Sequence, residues 1–397
     1  MSRLHVRLIA MAKQNTILYA LAIIALTDLG FCQTSDQPNE GNPGSMVDWT
    51  VPSVPSNRPQ TPAEEEAGRQ QGRRAPAPEL LQPMLDPALR DYQLVHSALS
   101  GNYKAAASDV LPGLVKQWIA AFRKYYPGVN IDLAPPYAGS LGAQELIKGD
   151  LDLVFVSREL RPDDINAFKA KFSYDPFSVP ICGGSYRHFG FLDAVAFFVN
   201  KENPIEKLSF DQLDGILSST HWRGGKSVVN WGDLGLKGEW TDKPIHIYGV
   251  RPWNGFEEFV RQRALSVPGK RGEWRDGISF EKVVFPIAGH VAQDRYGIGY
   301  SGVAYIDAGV KVLPLAKDNA DGYYAPTYEN VASAKYPLSR LIYVNMNVAP
   351  AKPLPPALKE FLTFILSKQG QQIVLDQAIY VPLRSWQSES SLSLLQR

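Results

Sequence analysis

Three two-residue steps and one short loop carry the residue types that hold a small anion: Ser108-Asp109, Gly139-Ser140, Ser157-Arg158 and Arg251-Pro252-Trp253-Asn254-Gly255. Hydroxyls and backbone N–H groups donate hydrogen bonds without charge. Arginine adds a planar fork that meets phosphate or carboxylate with two parallel bonds. Such groups bind an oxyanion and leave it intact. The chain has no G-x-S-x-G elbow, no H-E-x-x-H pair and no histidine placed by spacing beside a serine or cysteine, so no catalytic residue is assigned. His188 and His221 read as exposed polar residues, and Cys182 as a small buried one.

The elements that must position these steps repeat one pattern. A short strand over 103–107 precedes Ser108-Asp109, and Leu111, Leu114, Val115, Trp118, Ile119 and Phe122 then follow with helical spacing until Pro127-Gly128. Asp109 stands where an N-cap belongs, and Pro112 fits the first turn. A strand over 129–133, a Pro- and Gly-containing loop over 134–140, a helix over 141–148 closed by Gly149, and a strand over 151–156 complete the unit. Strand, helix, strand, helix, strand in this span predicts a parallel sheet with right-handed crossovers, so the three following loops leave one carboxyl edge together. That edge is where open α/β sheets bind ligands, and a small-residue loop opening a helix presents free amides there. A second unit repeats the logic, with a strand over 244–250, the Arg251–Gly255 loop and a helix over 256–265.

Each charged residue has a structural reading beside the ligand reading. Arg158 and Arg251 could instead form ion pairs with Glu159 or Glu257. Asp109 could be a plain helix cap, or an acceptor that favours hydrogen phosphate, which brings a proton, over sulfate, which brings none. Trp253, inside the second loop, could line a cleft.

The rest of the sequence narrows the class. The 397 residues are 45% hydrophobic and 20% charged, with a formal net charge of +1, so the chain is a globular protein of about two domains with no global field for nucleic acid. Two cysteines, Cys32 and Cys182, and six histidines without ligand spacing make neither a disulfide framework nor a metal centre. No cofactor is expected. Gly297-Ile298-Gly299-Tyr300-Ser301-Gly302 fits a dinucleotide pattern, but 303–306 reads as a strand where a helix should start. Gly224-Gly225-Lys226-Ser227 lacks both the first glycine and the preceding strand of a P-loop and reads as a basic surface turn.

Arg3, Arg7 and Lys13 followed by an apolar run over 17–26 have the layout of an export signal, expected to span 1–32. Cleavage after Cys32 uses Gly30-Phe31-Cys32 as its small-x-small site; Leu29-Gly30-Phe31-Cys32 as a lipobox would instead lipidate Cys32. Eight prolines between Gln33 and Pro78, with Glu64-Glu65-Glu66 and Arg73-Arg74, make 33–88 a disordered linker. Residues 80–99, with scattered leucines, Tyr92 and Val95, are candidates to dock on the folded part.

The order of several short motifs then carries a resemblance. Ser108-Asp109 before a Trp-containing helix, Leu151-Asp152-Leu153 leading to Ser157-Arg158-Glu159-Leu160, and Ala196-Phe197-Phe198-Val199-Asn200 come first. Trp231-Gly232-Asp233-Leu234-Gly235, Ile298-Gly299-Tyr300-Ser301-Gly302 and Tyr336-Pro337-Leu338-Ser339-Arg340 follow. Over about 101–383 the chain resembles the periplasmic phosphate-binding proteins of ABC transporters, the PstS-like branch of the type II solute-binding fold. The resemblance implies an α/β, two-lobe periplasmic-binding-protein-like fold with hinge strands. Lobe 1 would comprise 89–194 and 304–385, lobe 2 would comprise 195–303, and 386–397 would be a tail. The outward crossing is expected at 195–199, the return at 303–313, and a helix over 356–375.

It also implies the ligand set: Ser108, Asp109 and Val110, Gly139 and Ser140, Ser157 and Arg158, and Arg251, Asn254 and Gly255. Two departures stand out. Asn254 and Phe256 occupy places where the family has serine and threonine, and the Gly-Ser-Gly-Thr loop reads Ala138-Gly139-Ser140-Leu141. The expected function is therefore a non-enzymatic, exported binding protein, periplasmic or anchored as a lipoprotein. It would be a monomer that binds inorganic phosphate or a similar oxyanion for ABC permease subunits. A surface or sensory protein of the same fold and a secreted phosphohydrolase are the alternatives.

Overall fold

A computed structural model of the chain describes residues 84–95, 98–108, 110–135, 142–186, 193–252, 255–306, 309–318, 322–377 and 379–396. The expected export signal and all of the expected linker before Met84 lie outside these residues. In chain order come β1 (Gly101–Ala107), α1 (Pro112–Tyr125), β2 (Val129–Leu133), α2 (Gly142–Lys148), β3 (Leu153–Val156), α3 (Pro162–Phe172) and β4 (Phe177–Gly183). Next are β5 (Val195–Asn200), β6 (Leu208–Ser209), α4 (Phe210–Leu217), β7 (His246–Val250), α5 (Gly255–Val260), β8 (Ser279–Glu281) and α6 (Ile287–Gln293). Then follow β9 (Gly297–Gly302), β10 (Val310–Val312), β11 (Leu315–Ala316), α7 (Tyr328–Ala332) and β12 (Leu341–Met346). Last come α8 (Pro356–Leu366), α9 (Lys368–Asp376) and α10 (Ser385–Leu394).

Alternation along the strands sorts the first sheet's faces. In β3, Leu153 and Phe155 enter an apolar cluster with α1, α8 and α9, while Val154 and Val156 enter a second one with α2 and α3. The order is β2-β1-β3-β12-β4, with β1 parallel to β2 and β3, and β12 antiparallel to β3 and β4. The second sheet runs β10-β5-β9-β7-β8, with β7 parallel to β8 and β9, and β5 antiparallel to β9 and β10. In each sheet, the one reversed strand is the strand by which the chain arrives from the other sheet.

This corrects the expected crossings. Residues 195–199 are already a fully buried strand of the second sheet, so the outward passage lies before them, after Gly183. The return comes after 313, because β10 pairs with β5, and Leu313, Leu315, Tyr336 and Leu338 pack in the second core. The chain joins the first sheet only at Leu341. The glycine-rich run over 297–302 is itself the buried strand β9, not a loop. A side chain at 302 would place its Cβ 2.1 Å from Asp193 Oδ2, which accounts for glycine there as close packing.

Further differences lie at helix ends. The N-cap of α1 is Leu111, not Asp109, and Leu111 N–H donates to the Ser108 carbonyl at 2.8 Å. The helix expected over 356–375 is broken at Ser367, whose side chain caps α9 by accepting from Gly370 N–H. Gly370 packs against the end of α8, where a Cβ would meet the Phe364 carbonyl at 2.2 Å. The expected tail is helix α10. It docks through small polar groups, with Ser388 Oγ–H on the Leu366 carbonyl at 2.6 Å and Ser391 Oγ–H on the Pro180 carbonyl at 2.8 Å. An aliphatic period is absent from such a helix, which is why the sequence did not announce it. From Met84 onward the chain is already docked: Leu89 is buried, Asp86 accepts from Ser385 N–H, and the Tyr92 hydroxyl donates to Glu360. Cys182, in β4, is fully buried, and burial pushes its thiol pKa well up.

Helix α5 does not continue regularly to Leu265 as expected; Arg261–Leu265 is a π-helical turn. An ion cluster holds it. Glu257, with no solvent exposure, accepts from Trp274 Nε1–H at 2.5 Å and lies 2.9 Å from Arg261 Nε. Glu258 meets Arg261 at 3.2 Å and Arg271 at 2.6 Å. Arg223, beside the 224–227 turn, donates to the carbonyls of Arg263, Ala264 and Ser266 and so caps the turn's end. Burial alone would raise the Glu258 carboxyl, but Arg271, Arg158, Arg261 and Arg161 together hold it below the usual range. A carboxyl depressed in the folded state adds stability above its unfolded pKa and loses it as the pH falls through the folded value. Glu258→Gln should therefore unfold at lower urea than the parent chain at neutral pH, with the gap closing once the pH drops below the ordinary glutamate range; urea midpoints at both pH values measure this.

Candidate functional site

The carboxyl ends of β1 and β3 lie side by side, and one hydroxyl ties them. Ser108 N–H donates to the Phe155 carbonyl at 2.9 Å, Ser108 Oγ–H donates to the same carbonyl at 3.1 Å, and Ser157 N–H donates to Ser108 Oγ at 3.2 Å. Both serines are buried. The structure thus brings Ser108 and Ser157 together as the parallel topology requires, but the Ser108 proton is already given to the backbone. Val110 is half-buried, and its carbonyl accepts from the Tyr380 hydroxyl. Asp109, Gly139, Ser140, Trp253 and Asn254 lie outside the described residues.

Arg158 follows on the same edge, buried, with Nη1–H donating to the Glu159 carbonyl at 2.8 Å. The Glu159 carboxylate accepts from Arg263 Nη1–H at 2.6 Å and from the Tyr343 hydroxyl at 3.1 Å. Gln262 donates to the carbonyls of Glu159 and Leu160, at 3.0 and 2.6 Å. The π turn is what aims Gln262 and Arg263, neighbours in sequence, at this one segment of the first half. Glu257 is taken up by Arg261 and Trp274.

In the second half, β7 ends at Val250, and Arg251 N–H extends its pairing with β8 by donating to the Glu281 carbonyl at 2.9 Å. Arg251 is half-buried, and Gly255, the first residue of α5, is exposed with open space where a Cβ would sit. Glycine at 255 is thus free of the steric demand seen at 302.

A residue to which the sequence reading gave no role joins the two edges. Arg340 immediately precedes β12, where the register sets Tyr343 opposite Val156 and Leu341 opposite Gly183, so it sits at the same edge as Ser157 and Arg158. It is 7% exposed. Its guanidinium lies over the rings of Phe256 and Phe259, 4.8 and 4.5 Å from their centroids, and Nη2 is 3.5 Å from the Gly255 carbonyl. Burial pushes its pKa down to about 10; Asp193 and Glu159 oppose that shift, and the like charge of Arg158 adds to it. Among the described residues its Nε has no hydrogen-bond partner. The signal in the sequence was a serine and an arginine, Ser339 and Arg340, inside the otherwise apolar Tyr336–Ile342 stretch. A separate surface groove of about 440 Å³ along α1 and β2, lined by Lys116, Arg123 and Lys124 among others, contains none of the expected site residues.

Chemically, serine-bearing strand ends, two buried guanidinium groups and an exposed helix start meet where the two sheets' carboxyl edges approach. Comparison with known proteins identifies the family. Residues 95–369 match the family model described as a PBP superfamily domain. The phosphate-binding protein PstS of Pseudomonas aeruginosa is 36% identical over 313 residues, covering 78% of this chain and 92% of that protein. Protein SphX of Synechocystis is 26% identical over 285 residues, covering 70% of this chain and 76% of that protein. Among solved structures, PstS from Borrelia burgdorferi has a TM-score of 0.49 at 17% identity, covering 72% of this chain and all of that one. An ABC-type phosphate transport receptor from Vibrio cholerae has 0.47 at 16%, covering 71% of this chain and all of that one. The fold expected from the resemblance, α/β with two sheets of the periplasmic-binding-protein kind, is the one observed, and the chain belongs to the PBP superfamily, among its PstS-like members.

Proposed function

We propose that this chain is an exported solute-binding protein that holds inorganic phosphate, or a similar oxyanion, between the facing carboxyl edges of its two sheets and delivers it to ABC permease subunits. The observation that carries this reading is the meeting of the Ser108–Ser157–Arg158 edge with the Gly255 end of α5, in a chain 36% identical to a protein named for phosphate binding. Ser157, Arg158 and the backbone at 108–110 would hold the anion from the first half; Arg251, Asn254 and Gly255 would hold it from the second. Asp109, Gly139 and Ser140 belong to the same proposed set. Binding replaces the water around the anion with fixed donors, and the segments between the sheets absorb the closing movement. The two halves, 89–194 with the C-terminal part and the middle of the chain, act as lobes in this reading. The leader would direct export, with the linker as a spacer.

Isothermal titration of the purified protein with phosphate, arsenate and sulfate tests the reading. Saturable phosphate heat at one site per chain, without release of phosphate from a generic ester, is the expected result; silence toward every oxyanion favours a surface or sensory role, and ester turnover favours a hydrolase. Arg251→Met should weaken phosphate binding by about tenfold to a hundredfold, the scale of one charge-assisted hydrogen bond. Ser108→Ala separates structure from binding: it leaves the buried Ser157 amide without an acceptor and should lower unfolding stability by about 1–3 kcal/mol, read from urea midpoints.

A further inference from the structure

Two segments carry the chain between the sheets at this edge, and they share a property unusual for structural connectors. Ser185 Oγ on the outward segment, and Ser339 Oγ and Arg340 Nε on the return, are buried polar atoms with no hydrogen-bond partner among the described residues. Their residues are 2%, 4% and 7% exposed. A buried donor left unmade loses its hydration without replacement, and the loss is larger for a charged one. Arg340 adds a second cost, because Arg158 brings a like charge to the same edge. Two carboxylates oppose this at a distance: Glu159, which also bonds Arg263 and Tyr343, and the fully buried Asp193, whose Oδ2 accepts from the Ala304 amide at 3.2 Å. Neither gives Arg340 Nε a hydrogen bond.

The guanidinium is nonetheless held firmly. Phe256 and Phe259 cover it from α5. Phe256 stands where a hydroxyl was expected from the resemblance, so the position that lost a neutral donor supplies an aromatic face for a charged one. A planar cation fixed on aromatic rings, screened from water and lacking an acceptor at Nε is prepared for an anion.

We propose that Arg340 is a ligand-binding residue of this site, donating from Nε to the bound oxyanion, with Ser339 and Ser185 as neighbouring hydroxyl donors. This rests on the oxyanion reading given above. The connecting segments are then part of the binding surface as well as the pivots of closure. The exchange of hydroxyls for a guanidinium fits an anionic ligand better than a neutral solute.

Titration of the full chain with phosphate tests the assignment on Arg340→Met and Arg340→Lys, alongside urea unfolding without phosphate. Arg340→Met should weaken phosphate binding by about a hundredfold or more, as removal of one partner from a buried charge pair does. Arg340→Lys, which keeps the charge but not the fork, should recover part of that loss. Without phosphate, Arg340→Met should move the urea midpoint little, since it relieves burial and the like charge of Arg158 while giving up the opposing charges of Asp193 and Glu159. A merely structural arginine predicts the reverse: lower stability and unchanged affinity in the folded fraction. A second measurement needs no folded variant: in the unsubstituted protein, saturating phosphate should shift the Arg340 Nε–H nuclear magnetic resonance signal and slow its exchange with water. An unmoved signal in a phosphate-saturated protein, or parent-like affinity in Arg340→Met, overturns the role of Arg340 alone. Failure of the parent chain to bind phosphate, arsenate or sulfate overturns the oxyanion reading and this assignment with it.

Discussion

The constraint on which the molecule depends is directional. A parallel strand delivers its carboxyl end to one edge of its sheet, and a chain that leaves there for a second sheet must enter that sheet at the edge nearest to hand. β4 leaves the first sheet in this way and β5 enters the second reversed; on the return, β12 enters the first sheet reversed. One antiparallel strand per sheet follows, and the two carboxyl edges are obliged to meet. The Ser108–Ser157–Arg158 edge on one side and the Gly255 end of α5 on the other, with Arg340 between them, inherit their proximity from that traffic.

What the meeting edges contain is electrostatically uneven. Glu257 and Glu258 are matched by Arg261 and Arg271, and Glu159 by Arg263, so most of the buried charge around α5 and its π turn is closed within the protein. Arg340 differs in being desolvated and only weakly bonded, with Asp193 and Glu159 acting on it at a distance. Low polarity strengthens whatever bond such a group finally makes. The rigid pairs fix the scaffold, and Arg340 Nε remains a buried donor that no described residue accepts.

How much of this was legible depended on which forces write themselves into local sequence. Strand 129–133 and the helix carrying Trp118 were readable because alternation and helical spacing record which face is buried. The neighbourhood of Ser108 and Ser157 was readable because parallel topology forces it. The place of the crossings was not. Leu313, Leu315 and Tyr336 look equally apolar in either half, and only pairing with β5 and the second core assigns them. Helix α10 was invisible because serine and glutamine make its contacts, and the break at Ser367 because it answers the tight approach of Gly370 to α8. Arg340 was present in a quoted motif yet had no role, since the burial that sets it apart comes from Phe256 and Phe259, far along the chain.

Cys182 shows a last effect of the same architecture. It stands one residue before the end of β4, next to the point where the chain departs for the second sheet, and its sulfur is sealed and kept protonated. A thiol in that state is a poor nucleophile and meets no reagent from solution. Alkylation of this cysteine would accordingly mark molecules in which the end of the sheet has parted, giving the protein a chemical reporter of its own cohesion at the place where its two halves are joined.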